Sequence, residues 1–384
     1  MAQAPATEPS APLVYVRDTP TETLPPPVYA RGALAWFREN FFSDILSSVL
    51  TVAAIAFLVW VLPGLVRFLF LDAVWSAKDG GPCRVVGAGA CWAFIAQKWQ
   101  YFMYASYPID ERWRVDTTLI VGALLVVWLL WPGLPRKGLG GLLFFIAYPI
   151  FGCILLVGWP AIGLPFADTS LWGGVFVTLL IATVGIVFSL PAGVLLALGR
   201  RSRMPIVKFL SVVFIEFVRG VPFITVLFMA NTMLPLFVPP YLTPDRLLRP
   251  LIGVALFSAA YMAEEVRGGL QAIPKGQYEG AMAVGLNYWR MMRLIILPQA
   301  LTLVIPGIVN NFIGLFKDTT LVAIVGIFDF LAAVEAQSHD PVWNGPSVLT
   351  TGYIFAAAFY FVFCFGMSRY SLYMERKLAA GKKR

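Results

Sequence analysis

The chain has 384 residues, of which 59% are hydrophobic and only 13% charged. Soluble domains carry about 25% charged residues, so a water-soluble globular fold is excluded. The formal net charge of +8 would suit nucleic acid, but the basic residues collect in alternate loops between apolar runs. That pattern belongs to membrane topology, and no nucleic-acid partner is expected.

Residues 1–40 are rich in Pro, Ala, Thr and Glu, with Pro25-Pro26-Pro27, and have no sustained apolar period. They read as a flexible tail, and nothing at the start has the build of a secretory signal. Apolar runs near the ~20 residues that cross a bilayer as helix then recur. They lie at about 45–71, 117–131, 139–159, 172–198, 206–238, 251–271, 298–316 and 348–370. The expected fold is therefore an all-α polytopic membrane protein with about eight transmembrane helices. The expected division is a tail over 1–40, a three-helix extension over 41–160 holding the polar loop 72–116, and a five-helix part over 161–384.

Lys and Arg set the orientation. Residues 199–208 hold Arg200, Arg201, Arg203 and Lys208, and the chain after Tyr370 ends in Arg376, Lys377, Lys382, Lys383 and Arg384. The loop 159–171 has none, and 317–347 has only Lys317. Both termini are thus expected in the cytoplasm. Loop 72–116 falls outside despite five basic residues, since long loops constrain orientation weakly. Cys83 and Cys91 would then lie in an oxidising compartment and can pair; two free thiols are the alternative. Cys153 and Cys364, inside apolar runs, read as packing residues.

Between the sixth and seventh runs lies a stretch of mixed polarity, residues 272–298. Residues 277–284 suit a short helix with one apolar face, Gly285 can take the positive φ of a sharp turn, and 288–296 suit a second short helix. Pro298 fits the first turn of the next one. Glu279-Gly280-Ala281, Gly285, Ile295 and Leu297-Pro298 together resemble the EAA loop of ABC-importer permeases, E-A-A-x3-G-x9-I-x-L-P, with Gly280 where the family usually has alanine.

The flanking residues, AEEVRGG and LPQA, are similar to the amino-acid branch of that family. Gly89-Ala90-Cys91-Trp92 and Glu111-Arg112-Trp113-Arg114 resemble the longer M-type subunit of general L-amino-acid permeases, whose relatives handle glutamate, glutamine, aspartate and asparagine. The resemblance implies that Tyr278, Glu279, Gly280, Ala281, Gly285, Leu286 and Asn287 couple this chain to an ATPase. It also implies a bacterial inner-membrane complex with a homologous second permease subunit, a dimer of ATP-binding subunits, a periplasmic amino-acid-binding protein and surrounding lipid. ATP and Mg would belong to the ATPase, because this chain has no GxxxxGK[ST] loop and is not itself expected to be an enzyme.

Charged groups inside spans are costly and invite a functional reading. Glu216 and Arg219, three apart, share a helix face and are candidates to pair with each other. They lie in a run resembling the family's E-F-x-R-G-x-P, where Gly220 and Pro222 favour a kink; a structural ion pair and a gate are the two readings. Lys317-Asp318-Thr319-Thr320-Leu321 resembles K-x-T-S-L. Lys317 could meet a substrate carboxylate, Thr319 and Thr320 could hydrogen-bond it, and Asn310 and Asn311 fall one to two turns earlier. Interhelical hydrogen bonding, and for Lys317 a place at the outer-leaflet interface, is the alternative. Glu264, Glu265 and Arg267 read as structural. His339, the only histidine, has no partner set for a metal. An ion-coupled secondary transporter would call for inverted repeats and intramembrane acids, neither of which stands out. A scaffold subunit lacking its own substrate site is the other alternative.

Overall fold

The computed structural model describes residues 32–131 and 133–381. Most of the tail expected over 1–40, and Lys382, Lys383 and Arg384, lie outside the described residues. The chain separates into two compact units, residues 1–67 and 68–384. The second and third apolar runs fall in the same unit as the five-helix part.

The first unit has a short helix α1 (Ala33–Phe41) and most of α2 (Ile45–Leu71). Asp44 caps α2 by accepting from the Ser47 N–H at 2.6 Å. No residue of Ile45–Val66 is buried. A helix this long that is apolar on every side has the composition of a membrane span.

The second unit continues with α3 (Trp92–Tyr104), α4 (Ile109–Leu130), α5 (Lys137–Val157) and α6 (Gly174–Arg200). Next come α7 (Pro205–Gly220) and α8 (Phe223–Phe237), bent by 110° at Val221-Pro222. α9 is Leu248–Ala272, α10 is Lys275–Ala283, α11 is Tyr288–Met291 and α12 is Leu297–Leu303. The chain ends with α13 (Ile305–Val325), α14 (Phe330–Ser338) and α15 (Val348–Gly381).

Among the described residues six helices are long and apolar enough to cross a membrane, seven if the bent pair is one span. The expected eight would also require α9, which carries Arg249, Glu264, Glu265 and Arg267 and is not among them. Two ends also differ from expectation. α4 begins before residue 117, since Arg112 to Asp116 are helical. The seventh run is broken at Val304, because Pro306 has no amide to give to the preceding turn, and the crossing helix is 305–325 instead of 298–316.

α6 and α9 run parallel in fixed register: Gly185 lies against Val254, Gly193 against Met262, and Arg201 against Leu270. A Cβ at Gly193 would come within 2.6 Å of the Met262 Cβ, so only glycine permits this approach. α9 is thus laid along a membrane-spanning helix for most of its length.

The loop between the first two apolar runs is tightly held. Cys83 and Cys91 are joined in a disulfide with Cα atoms 5.7 Å apart. Arg84 donates to the carbonyls of Asn344 and Pro341, each at 2.7 Å, and Lys98 pairs with Asp340 at 2.6 Å. Beneath these polar ties, Phe94 and Phe102 pack with Phe330, Trp343 and Val348. Tyr107, Val115 and Leu156 join Trp172 and Phe176 in a second cluster.

Replacing Cys83 with serine should loosen residues 78–92 by up to about 2–3 kcal/mol, the closure entropy of a loop this short. Faster amide exchange confined to that segment and 339–347 is the expected readout; unchanged exchange would show that the disulfide carries no local stability. The Lys98 hydrogen bond, first among its causes, holds the Asp340 carboxyl below the usual carboxylate range. This tie is therefore present at neutral pH and is lost as pH falls through that lowered value. Protection of the Val342 amide, which donates to Asp340, corrected for its intrinsic exchange rate, should fall on acidification in the wild type and begin to fall at a higher pH in Lys98→Met.

Candidate functional site

The segment between α9 and α12 forms a compact knob. α10 closes with the Gly285 N–H bonded to Met282 O at 2.9 Å and the Leu286 N–H to Ala281 O at 3.1 Å. These two bonds make a Schellman ending, and it requires the left-handed residue at Gly285, whose φ is +75°. Asn287 then caps α11 by accepting from the Arg290 N–H at 3.0 Å. Turn and cap reverse the chain within three residues.

The knob has two faces. Ala281, Met291, Met292 and Ile296 are buried, together with Tyr278 and Leu286 packed beside them, against Ala197, Leu198, Met262 and Leu270. Tyr278 donates to Leu270 O at 3.1 Å, and Arg201 lies over its ring at 5.6 Å while bonding the same carbonyl at 3.0 Å. Tyr278, Ala281 and Leu286 therefore anchor the knob, whereas Glu279, Gly280, Gly285 and Asn287 are exposed. Around these, Val284 is 73% and Trp289 67% exposed, with Met282 also outside. A rigid turn that presents unburied apolar side chains is built for a protein partner.

Behind the knob the C-terminal parts of α6, α7 and α9 meet in a cluster of charges. Arg200 pairs with Glu216 and with Glu264, both at 2.8 Å; Glu264 also takes Arg267 at 2.7 Å and Arg219 at 3.4 Å. The expected pairing of Glu216 with Arg219 is thus replaced by ties across helices, since α6 and α9 bring stronger partners to either side of α7. Glu264 is the hub, accepting from Arg200 and Arg267 and ion-paired with Arg219. The kink expected at Gly220 and Pro222 is the 110° bend itself.

Beside the bend is a cavity of about 230 Å³, with Ser189 from α6, Phe223 from α8, Ser258 and Tyr261 from α9, and Asn310, Asn311 and Asp318 from α13 in its wall. Phe223, Phe257 and Tyr261 form a ladder of rings 4.7 and 4.9 Å apart, and Arg219 lies 5.7 Å over Tyr261. The Asn311 Nδ2 is buried and has no hydrogen-bond partner. Of the candidate pathway residues, Asn310 and Asn311 line this space. Lys317, Thr319 and Thr320 do not: Lys317 is exposed, and the two hydroxyls donate to Phe316 O and Lys317 O. Sequence reasoning missed Asp318, inside the motif it quoted, along with Ser189, Ser258 and Tyr261. Arg200 and Arg201 read as topology charges only.

A cavity offering one carboxylate, an unsatisfied amide donor and hydroxyls can hold a zwitterion with both charges met. Among the described residues no group of His, Cys, Asp or Glu is placed to hold a metal ion.

The family model for binding-protein-dependent transport system inner membrane components matches residues 189–380. The chain is 50% identical to the inner membrane amino-acid ABC transporter permease protein YhdY of Escherichia coli, over 91% of this chain and 94% of that one. It is 43% identical to the glutamate/glutamine/aspartate/asparagine transport system permease protein BztC of Rhodobacter capsulatus, over 95% and 98%. Among solved structures it is similar to a crystal structure of an amino acid ABC transporter with histidines, at 27% identity and TM-score 0.47 over 53% of this chain and 92% of that one. Matched by the family model over half its length and by these relatives over nearly all of it, the chain belongs to the binding-protein-dependent transport system inner membrane component family.

Proposed function

We propose that this chain is the transmembrane permease subunit of an ATP-driven importer of L-amino acids. The observation that carries it is the knob, whose outer face sets Met282, Val284 and Trp289 around Glu279 and Asn287 and whose inner face is anchored to the helices that line a polar cavity. A cytoplasmic ATP-binding subunit takes the outer face, and a second permease subunit completes the pathway. A periplasmic amino-acid-binding protein delivers the cargo, and ATP and Mg are bound by the ATPase dimer. With α9 counted as a crossing, the helices cross eight times and leave both termini in the cytoplasm, in accord with the basic residues at 199–208 and after Tyr370.

The coupling is mechanical. Force on the knob reaches α6 through Tyr278 and Arg201, then passes by Arg200 into the Glu264 hub, and from Arg219 to Tyr261 at the cavity wall. In the cavity the cargo ammonium faces Asp318, and its carboxylate takes the free Asn311 amide. A lipid-filled path offers no such pair of partners, so this pocket is where a zwitterion can rest on its way through.

Two alanine substitutions separate backbone from bulk. A Cβ at Gly280 or at Gly285 meets nothing within 4 Å, yet only Gly285 has a positive φ. Gly280→Ala should stabilise α10 by about 0.5–1 kcal/mol and keep uptake in proteoliposomes at the wild-type rate. Gly285→Ala forces an unfavourable left-handed residue, about 1–2 kcal/mol, and should cut uptake roughly tenfold at unchanged membrane level. Equal uptake by the two variants would remove the knob from the coupling path.

Asp318→Asn removes a charge-assisted bond of about 1.5–3 kcal/mol. Uptake should fall at least about tenfold while ATP hydrolysis without substrate persists. Wild-type uptake with this variant would move the cargo site to the partner subunit.

A further inference from the structure

A second cavity, of about 460 Å³, lies between the extension and the core, with α4 and α5 forming one wall and α6 and the start of α9 the other. Its size is that of a small-molecule site, about 300–1,000 Å³. The lining is mostly apolar, through Leu119, Leu156, Leu180, Val184 and Leu251, and its one carboxylate, Asp245, is already taken by Thr169 and the Leu247 N–H, so over most of the slot an amino acid's charges would be poorly served. The mouth is marked by Cys153 and Phe188, both exposed and both well inside membrane-spanning helices. The cavity therefore opens sideways into hydrocarbon.

One end is different. There Trp172 lines the wall at the start of α6, buried, with its indole Nε1–H lacking any hydrogen-bond partner. Beside it Thr169 bonds both carboxylate oxygens of Asp245, each at 2.8 Å. A long apolar slot, open to the bilayer at mid-depth and ending in an unused donor at helix-end level, has the profile of a lipid tail below its ester. Left empty, its walls would forgo their dispersion contacts, and water gains nothing in a slot with so few polar partners.

The geometry points to a binding site for one acyl chain of a bilayer phospholipid, with its ester end at the level of Trp172. The chain fills the seam where the extension meets the core, so the lipid is a structural part of that junction. This reading requires only the membrane location and is independent of the transport cycle.

The test is photolabelling of the complete complex in its own membranes. Cells are fed a palmitate analogue with a mid-chain diazirine, the complex is extracted in polymer-bounded lipid discs after irradiation, and adducts are mapped by mass spectrometry. Adducts should concentrate on peptides holding Cys153, Leu180, Val184 and Phe188. Leu180→Trp, which fills the slot, and Cys153→Phe, which blocks its already exposed mouth without burdening the fold, should each lower them at least about tenfold. Labelling here no denser than on α2, or unchanged in Cys153→Phe, overturns the proposal. So does capture of the second permease subunit by a photoreactive benzoylphenylalanine at residue 153, which would make the slot a protein interface.

Discussion

The close parallel approach of α6 and α9 is the constraint from which the rest of the core follows. Inside a bilayer no hydrophobic force draws helices together, so contact rests on dispersion and on backbones that can come near. Gly185 and Gly193 remove the side chains that would hold the pair apart. Because the two helices run the same way, the segment between them must return across the same thickness. It does so as α7 and α8, and the bend between these leaves room for a polar space. The same register brings Arg200 and Arg201 to the level of Glu264 and Leu270, which is where the knob is seated.

The charge hub shows how such groups are tolerated at a helix end. Glu264 is only 14% exposed yet takes three guanidinium partners, and Glu216 balances part of the excess through Arg200. Removing one partner from a half-buried set like this leaves its opposite uncompensated. The three helices are therefore tied at one point, and motion of one draws the others. Hub and cavity share Arg219 and Tyr261, so the tie extends to the space where a zwitterion fits.

What the sequence makes legible is what the backbone specifies locally. Gly285, Asn287 and the spacing to Pro298 define turn, cap and next helix without help from distant residues, and the knob is read from them directly. The apolar runs likewise announce spanning helices. Pairing of Glu216 and Arg219 is not legible, because spacing along one helix says nothing of which neighbours come within reach on either side. The same holds for Lys317 and Asp318. Adjacent residues on a helix point about a third of a turn apart, and only packing shows that the aspartate, not the lysine, lines the cavity. The run at 251–271 announces α9 as well, although the charges that serve the hub keep it from the six helices apolar enough to cross by composition.

The clamp of residues 80–98 on 340–344 bears on the ancestry of the fold. Phe330, Trp343 and Val348 belong to the five-helix part, yet their apolar cover is Phe94 and Phe102 from the extension. Stripped of that cover, this end of the core would expose an aromatic surface. The two parts have become mutually dependent, so the additional helices cannot be grafted onto, or pared from, a minimal permease as a detachable module. Any hybrid between long and short subunits would have to exchange the clamp and the surface beneath it together.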